Sequence, residues 1–125
     1  MATWNLNGTK HHVLICNGSS CMRKGGEEVT LAIRDEISKR KLDEVVHTSR
    51  TRCNGRCQDA CVVVVYPEGI WYEGVTEELS REIVSQHLQK GEPIERSISY
   101  TMTEDGMQLQ NNRPIGKKKE EVVTK

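Results

Sequence analysis

Five cysteines are the residues of this 125-residue chain best able to do chemistry, and their spacing sorts them. Cys16 and Cys21 enclose four residues, thirty-one follow, and Cys53 and Cys57 then enclose three, with Cys61 four positions on. Thiolates are soft ligands, and four of them suit an iron–sulfur cluster or a zinc ion. An odd number of cysteines in a chain with no secretory signal reads as metal or redox ligands rather than a disulfide frame. Zinc sites more often show two-residue cysteine knuckles, and a thioredoxin-type dithiol enzyme needs Cys-x-x-Cys at a helix start. Neither spacing occurs. His11, His12, His47 and His87 could be ligands of the Rieske type, but they are scattered along the chain and read better as exposed or core-edge histidines. The pair Trp71–Tyr72 could conduct an electron, yet hairpin packing accounts for it.

Thiolates need a rigid mount, and the residues after Cys61 supply one. Val62 to Val65 are four consecutive β-branched residues, a poor helix and a good buried strand. Tyr66-Pro67-Glu68-Gly69 reads as a reversal, with proline presetting one corner and glycine accepting positive φ. Ile70-Trp71-Tyr72-Glu73 is the returning strand. Ahead of the first cysteine, Val13-Leu14-Ile15 is a short buried strand, and residues 16–25 form a loop. The spacing of Val29, Ile33 and Ile37 predicts a helix from about Glu27 to Arg40, with acidic residues at its start and basic ones at its end. Val45-Val46-His47 is the second strand. Thr76 caps a second helix whose buried stripe is Leu79, Ile83, Val84 and Leu88, ended by Gly91 and Pro93.

The order β-α-β-loop-β-β-α in a chain of this length predicts one α/β domain. Residues 1–10 read as a flexible arm, 11–94 as the domain and 95–125 as a polar extension. Within the extension, 97–102 alternates and could add an edge strand or wrap the domain, whereas Asn111 to Pro114 and Lys117 to Glu121 read as solvated tail. Lys and Arg together number 18, as do Asp and Glu, so the net charge is zero. That balance argues against a nucleic-acid partner, and no apolar run is long enough to span a membrane.

Residues 11–94 resemble the thioredoxin-like [2Fe-2S] ferredoxins, with which domains of hydrogenase and NADH-dehydrogenase subunits are grouped. The resemblance rests on His11 to Cys16, on Cys21 followed by Arg23-Lys24-Gly25-Gly26, on Cys53 and Cys57, and on the run from Val62 to Tyr72. It implies a thioredoxin-like sandwich with a small mixed β-sheet, two main helices and the cysteine loops at one end. It implies further that Cys16, Cys21, Cys53 and Cys57 hold one [2Fe-2S] cluster. Such a cluster with four thiolates carries a formal charge of roughly −2, which needs nearby donors and cations. Gly18, Gly25, Gly26 and Gly55 would let the backbone approach, and Arg23, Lys24, Arg50, Arg52 and Arg56 flank the ligand positions. Cys61 stands where family members more often have proline. It reads as a small buried residue, with a substitute ligand or redox partner as the sharper alternative.

The function implied is a cytoplasmic one-electron carrier and no enzyme. A different class is also open: an accessory or assembly protein, or a non-catalytic subunit, serving a metallocofactor or cobalamin-type tetrapyrrole pathway. The basic residues beside the ligands predict a redox partner with an acidic docking patch. Self-association into a homodimer is left open.

Overall fold

The computed structural model describes residues 3–113 and 115–121. β1 (His11–Cys16) is followed by a short helix α1 (Ser19–Arg23), the long helix α2 (Gly26–Lys39) and β2 (Val46–Thr51). A 3-10 turn at Cys57–Asp59 leads into β3 (Val63–Tyr66) and β4 (Ile70–Tyr72). Helix α3 (Glu77–Glu82) continues as a π-helical segment, Ile83–Leu88, before β5 (Ile98–Thr103) and β6 (Gly106–Leu109). The strands form one mixed sheet in the order β2-β1-β3-β4-β5-β6. β1 and β2 run parallel, with α2 as their crossover, and every other pair is antiparallel.

Alternation along the strands decides which face is core. Val13, Val65 and Ile70 share one row, and Ile15, Val63 and Tyr72 the next. All six are buried beneath the helices. Val29, Ile33 and Ile37 of α2 and Leu79, Ile83, Val84 and Leu88 of the second helix are buried in the same core, as their periodicity predicts. Thr76 caps α3 by accepting from Leu79 N–H at 3.1 Å. The opposite face carries the row Leu14, Val64, Trp71, Tyr100 and Leu109. Of these only Val64 is fully buried.

Three details depart from the sequence reading. The loop after Cys16 contains a helical turn, α1, started by Gly18 in extended backbone. Alternating residues 98–103 do join the sheet, but they bring a second strand with them, so β6 and not β5 forms the edge. Asn111 and Arg113 are tied back to the domain rather than solvated: Asn111 Nδ2 donates to the carbonyls of Glu95 and Ile98, and Arg113 pairs with Asp59 and Glu73. Pro114 lies outside the described residues. The stretch from Ile115 to Glu120 is exposed.

Candidate metal centre

Three neighbouring strands, β2, β1 and β3, end or begin where the cysteines are. Cys16 is the last residue of β1, Cys53 follows β2, and Cys61 precedes β3. Cys16 N–H donates to Val62 O at 3.0 Å and Asn17 N–H to Thr51 O at 2.7 Å, which holds the three strand ends side by side. Cys16, Cys21, Cys53 and Cys57 line one small pocket with Gly18, Ser20, Asn54, Arg56 and Val62. The four thiols fall into two pairs. Cys53 Sγ and Cys57 Sγ are 3.5 Å apart at the exposed rim, whereas Cys16 and Cys21 are buried. Among the described residues, no group of three or more His, Cys, Asp or Glu side chains is placed to hold a single metal ion.

Backbone donors and close glycines shape this pocket. Gly55 N–H donates to Cys53 Sγ at 3.3 Å. A Cβ at Gly18 would stand 2.8 Å from Cys53 Cα, so only glycine lets the first cysteine loop touch the second. Gly26 is similarly confined, 3.0 Å from the Cys21 carbonyl. Gly25 and Gly55 serve differently from the close approach expected: both have positive φ, and neither is crowded.

The thiols differ in how readily they ionise. Burial pushes Cys16 up, but hydrogen bonds from Gly18 N–H, Cys21 and Asn54 outweigh it and hold the thiol below its usual range. Its partner Cys21 is pushed up to about 12, first by burial. Cys53 receives a lowering hydrogen bond from Gly55 N–H, yet Cys57 and burial carry it upward. Cys61 is raised by burial. This fifth thiol lines no part of the pocket; it donates to the carbonyls of Cys21 and Lys24, both at 3.3 Å. Its role in the structure is to brace the first cysteine loop from beneath.

The flanking cations are not equivalent. Arg50 is held by Glu27 and by Asn17 Oδ1 at 2.9 Å. Arg56 donates from Nε to Asp59 Oδ2 at 2.7 Å and lies over the Tyr100 ring, 5.0 Å from its centroid. Arg23, Lys24 and Arg52 are exposed. The histidines take no part. His87 is fully buried, deeper than the core-edge position expected, and bonds Tyr72 and Glu68. His12 and His47 stack across β1 and β2, their centroids 5.2 Å apart. No spacing in the sequence marks His87 as internal; its polar partners, fifteen and nineteen residues away, are brought to it by the hairpin.

A family model described as thioredoxin-like [2Fe-2S] ferredoxin matches residues 4–88. The chain belongs to that family. A protein of Priestia megaterium carrying the 2Fe-2S ferredoxin name is 59% identical over 106 residues, 85% of this chain and 83% of that protein. The 2Fe-2S ferredoxin of Clostridium pasteurianum is 37% identical over 95 residues, covering 70% of this chain and 93% of its own. Among solved structures, the thioredoxin-like [2Fe-2S] ferredoxin of Aquifex aeolicus superposes with a TM-score of 0.70 at 33% identity, over 76% of this chain and 94% of that one. This ferredoxin therefore has a [2Fe-2S] cluster as cofactor and carries electrons rather than catalysing a reaction. The comparisons favour the carrier over the accessory or assembly role. Its pocket fits the group: four soft donors in two pairs, a backbone N–H aimed at a rim sulfur, and a close approach of the two cysteine loops at Gly18 that a side chain would block. When bound, the cluster supplies a centre that accepts and returns one electron.

Proposed function

We propose that Cys16, Cys21, Cys53 and Cys57 are the cluster ligands and that Cys61 is not. The observation that carries this reading is the shared pocket, which the first four thiols line and the fifth does not. The paired arrangement suits two metal ions, each held by two thiolates. Cys16 and Cys21 hold the buried side, whereas Cys53 and Cys57 face the surface through which an electron would pass. Protein purified without oxygen should contain about two irons and two acid-labile sulfides per chain. An all-thiolate set gives a reduction potential on the order of −400 mV. One zinc and no labile sulfide in protein from its native host would overturn the carrier reading.

The division into an arm (1–10), a ferredoxin domain (11–94) and an extension (95–125) belongs to the same proposal, with β5 and β6 of the extension completing the domain's sheet. So does a cytoplasmic location; no helix among the described residues is long and apolar enough to cross a membrane. The redox partner presents an acidic patch. With Arg50 and Arg56 engaged internally, that patch would meet Arg23, Lys24 and Arg52 at the cysteine end. Self-association, where it occurs, uses the sheet face opposite the helices, on which Leu14, Trp71, Tyr100 and Leu109 are half-buried. Sedimentation of the cluster-loaded protein distinguishes monomer from dimer, and Trp71→Glu would dissociate a dimer built on that face.

A further inference from the structure

The carboxylate of Asp59 is wholly buried, although it belongs to the short turn that carries Cys57. A carboxylate so placed is costly unless its oxygens are paired with cations. Each oxygen has its own. Oδ2 accepts from Arg56 Nε at 2.7 Å, a partner three residues away on the same loop. Oδ1 accepts from Arg113 Nη2 at 3.0 Å, a partner fifty-four residues away, beyond the last strand of the sheet. The same Arg113 nitrogen reaches Glu73 Oε2 at 3.3 Å, just after β4. Arg56 in turn lies over Tyr100 of β5. Gly116, three residues past Arg113, would place a Cβ 3.5 Å from Arg56 Nη1. Asn111 anchors the approach of this segment by donating to Glu95 O at 2.7 Å and Ile98 O at 2.9 Å.

Residues 111–113 are thus tied to the cysteine loop through one buried carboxylate. They lie outside the residues 4–88 that the family model matches. We infer that residues 111–113 are a latch on the cluster-binding loop, with Arg113 its bolt: by completing the Asp59 ion pairs it fixes the turn bearing Cys57 and slows loss of the cluster. This rests on Cys57 being a ligand. Arg113 is a positioning residue, acting on the cluster through Asp59 and the turn rather than by contact with it. Two cations against Asp59 and Glu73 leave the clamp neutral, so it restrains the loop without adding net charge at the cluster end.

The test uses the full-length, cluster-loaded protein. Arg113→Ala should release iron to a chelator roughly tenfold faster than wild type, as removal of a restraint of ~1.4 kcal/mol gives. Amides of residues 53–61 should exchange faster, the helices and β1 should be unaffected, and the visible circular dichroism of the cluster should change. Arg113→Lys, which keeps one charged donor, should recover much of the slow release and the wild-type spectrum. Release at the wild-type rate in Arg113→Ala would overturn the inference, as would faster release matched by faster exchange throughout the domain. Separately, Cys57→Ala that still holds a full cluster would remove the ligand reading and overturn this inference with it, whereas wild-type release in Arg113→Ala overturns the latch alone.

Discussion

At Gly18 a single methyl group decides whether the two cysteine loops can touch. A Cβ there would meet the backbone of Cys53 at 2.8–2.9 Å, and backbone cannot swing aside as a side chain can. Gly18→Ala should therefore displace the second loop, at a cost of roughly 1–3 kcal/mol, and lower the cluster content of the purified protein. Single Ala substitutions of Cys16, Cys21, Cys53 or Cys57 should empty the site or leave its cluster short-lived, read from iron content and visible absorbance. Cys61→Ala should keep the cluster, since that thiol is committed to the carbonyls of Cys21 and Lys24. Another residue sets the response to acid. His87 is buried, with Tyr72 O–H donating to Nδ1 and Nε2–H donating to Glu68, an arrangement that suits the neutral ring. Burial lowers its pKa, the Glu68 carboxylate only partly opposing this. The unfolded chain then binds a proton that the folded chain refuses, so stability falls as pH drops below the ordinary histidine value of about 6.5. Glu68 adds to the loss at lower pH, because burial raises its pKa but its own backbone N–H and His87 hold it low on balance. Thermal melts should show Tm decreasing from pH 7 to pH 5, with a shallower slope in His87→Gln; equal slopes would count against the assignment. At this scale the cysteines were legible, because soft donors at short spacing have few other uses. His87 was not, because its partners are distant in sequence and nothing local distinguishes an internal imidazole.

Elements were legible where one residue pattern governs them. The i, i+4 stripe of Val29, Ile33 and Ile37 sits in a helix whose observed ends fall within a residue of those expected, Gly26–Lys39. Thr76 caps α3 as its type predicts, and Thr76→Ala should cost about 1 kcal/mol and lower Tm by about 4 °C. Less visible was β2, which runs to Thr51 although only its first residue, Val46, is apolar. Its later residues pair with β1 at an edge of the sheet, where polar side chains are no hindrance. The helical turn α1 was hidden because Gly18 and two serines read equally well as loop. Likewise, residues 111–113 look like tail in composition. What holds them is a buried carboxylate at position 59, and such a pairing leaves no periodic trace.

For the whole molecule, a net charge of zero conceals an uneven distribution. Arg23, Lys24 and Arg52 remain exposed near the cysteine pocket after Arg50 and Arg56 have found internal acids. Electron-transfer encounters are small, and charge complementarity sets their association rate more than their final affinity. The second-order rate with the physiological partner should therefore fall as salt is raised toward physiological strength, where the screening length is roughly 8 Å. Lys24→Glu should slow it further, whereas Arg50→Glu should act mainly through loss of the Glu27 pair. A rate indifferent to salt and to Lys24→Glu would indicate apolar docking.

The crossover through α2 also governs the order of events during biosynthesis. Cys16 and Cys21 leave the ribosome at least thirty-two residues ahead of Cys53, and they stay apart from the second pair until α2 has folded and β2 has aligned beside β1. A growing chain therefore displays two separate half-sites, each able to trap a stray thiophilic ion. Only the completed β-α-β unit offers all four thiols together. Loading of a cluster on all four thiols therefore follows the folding of the β-α-β unit and does not precede it.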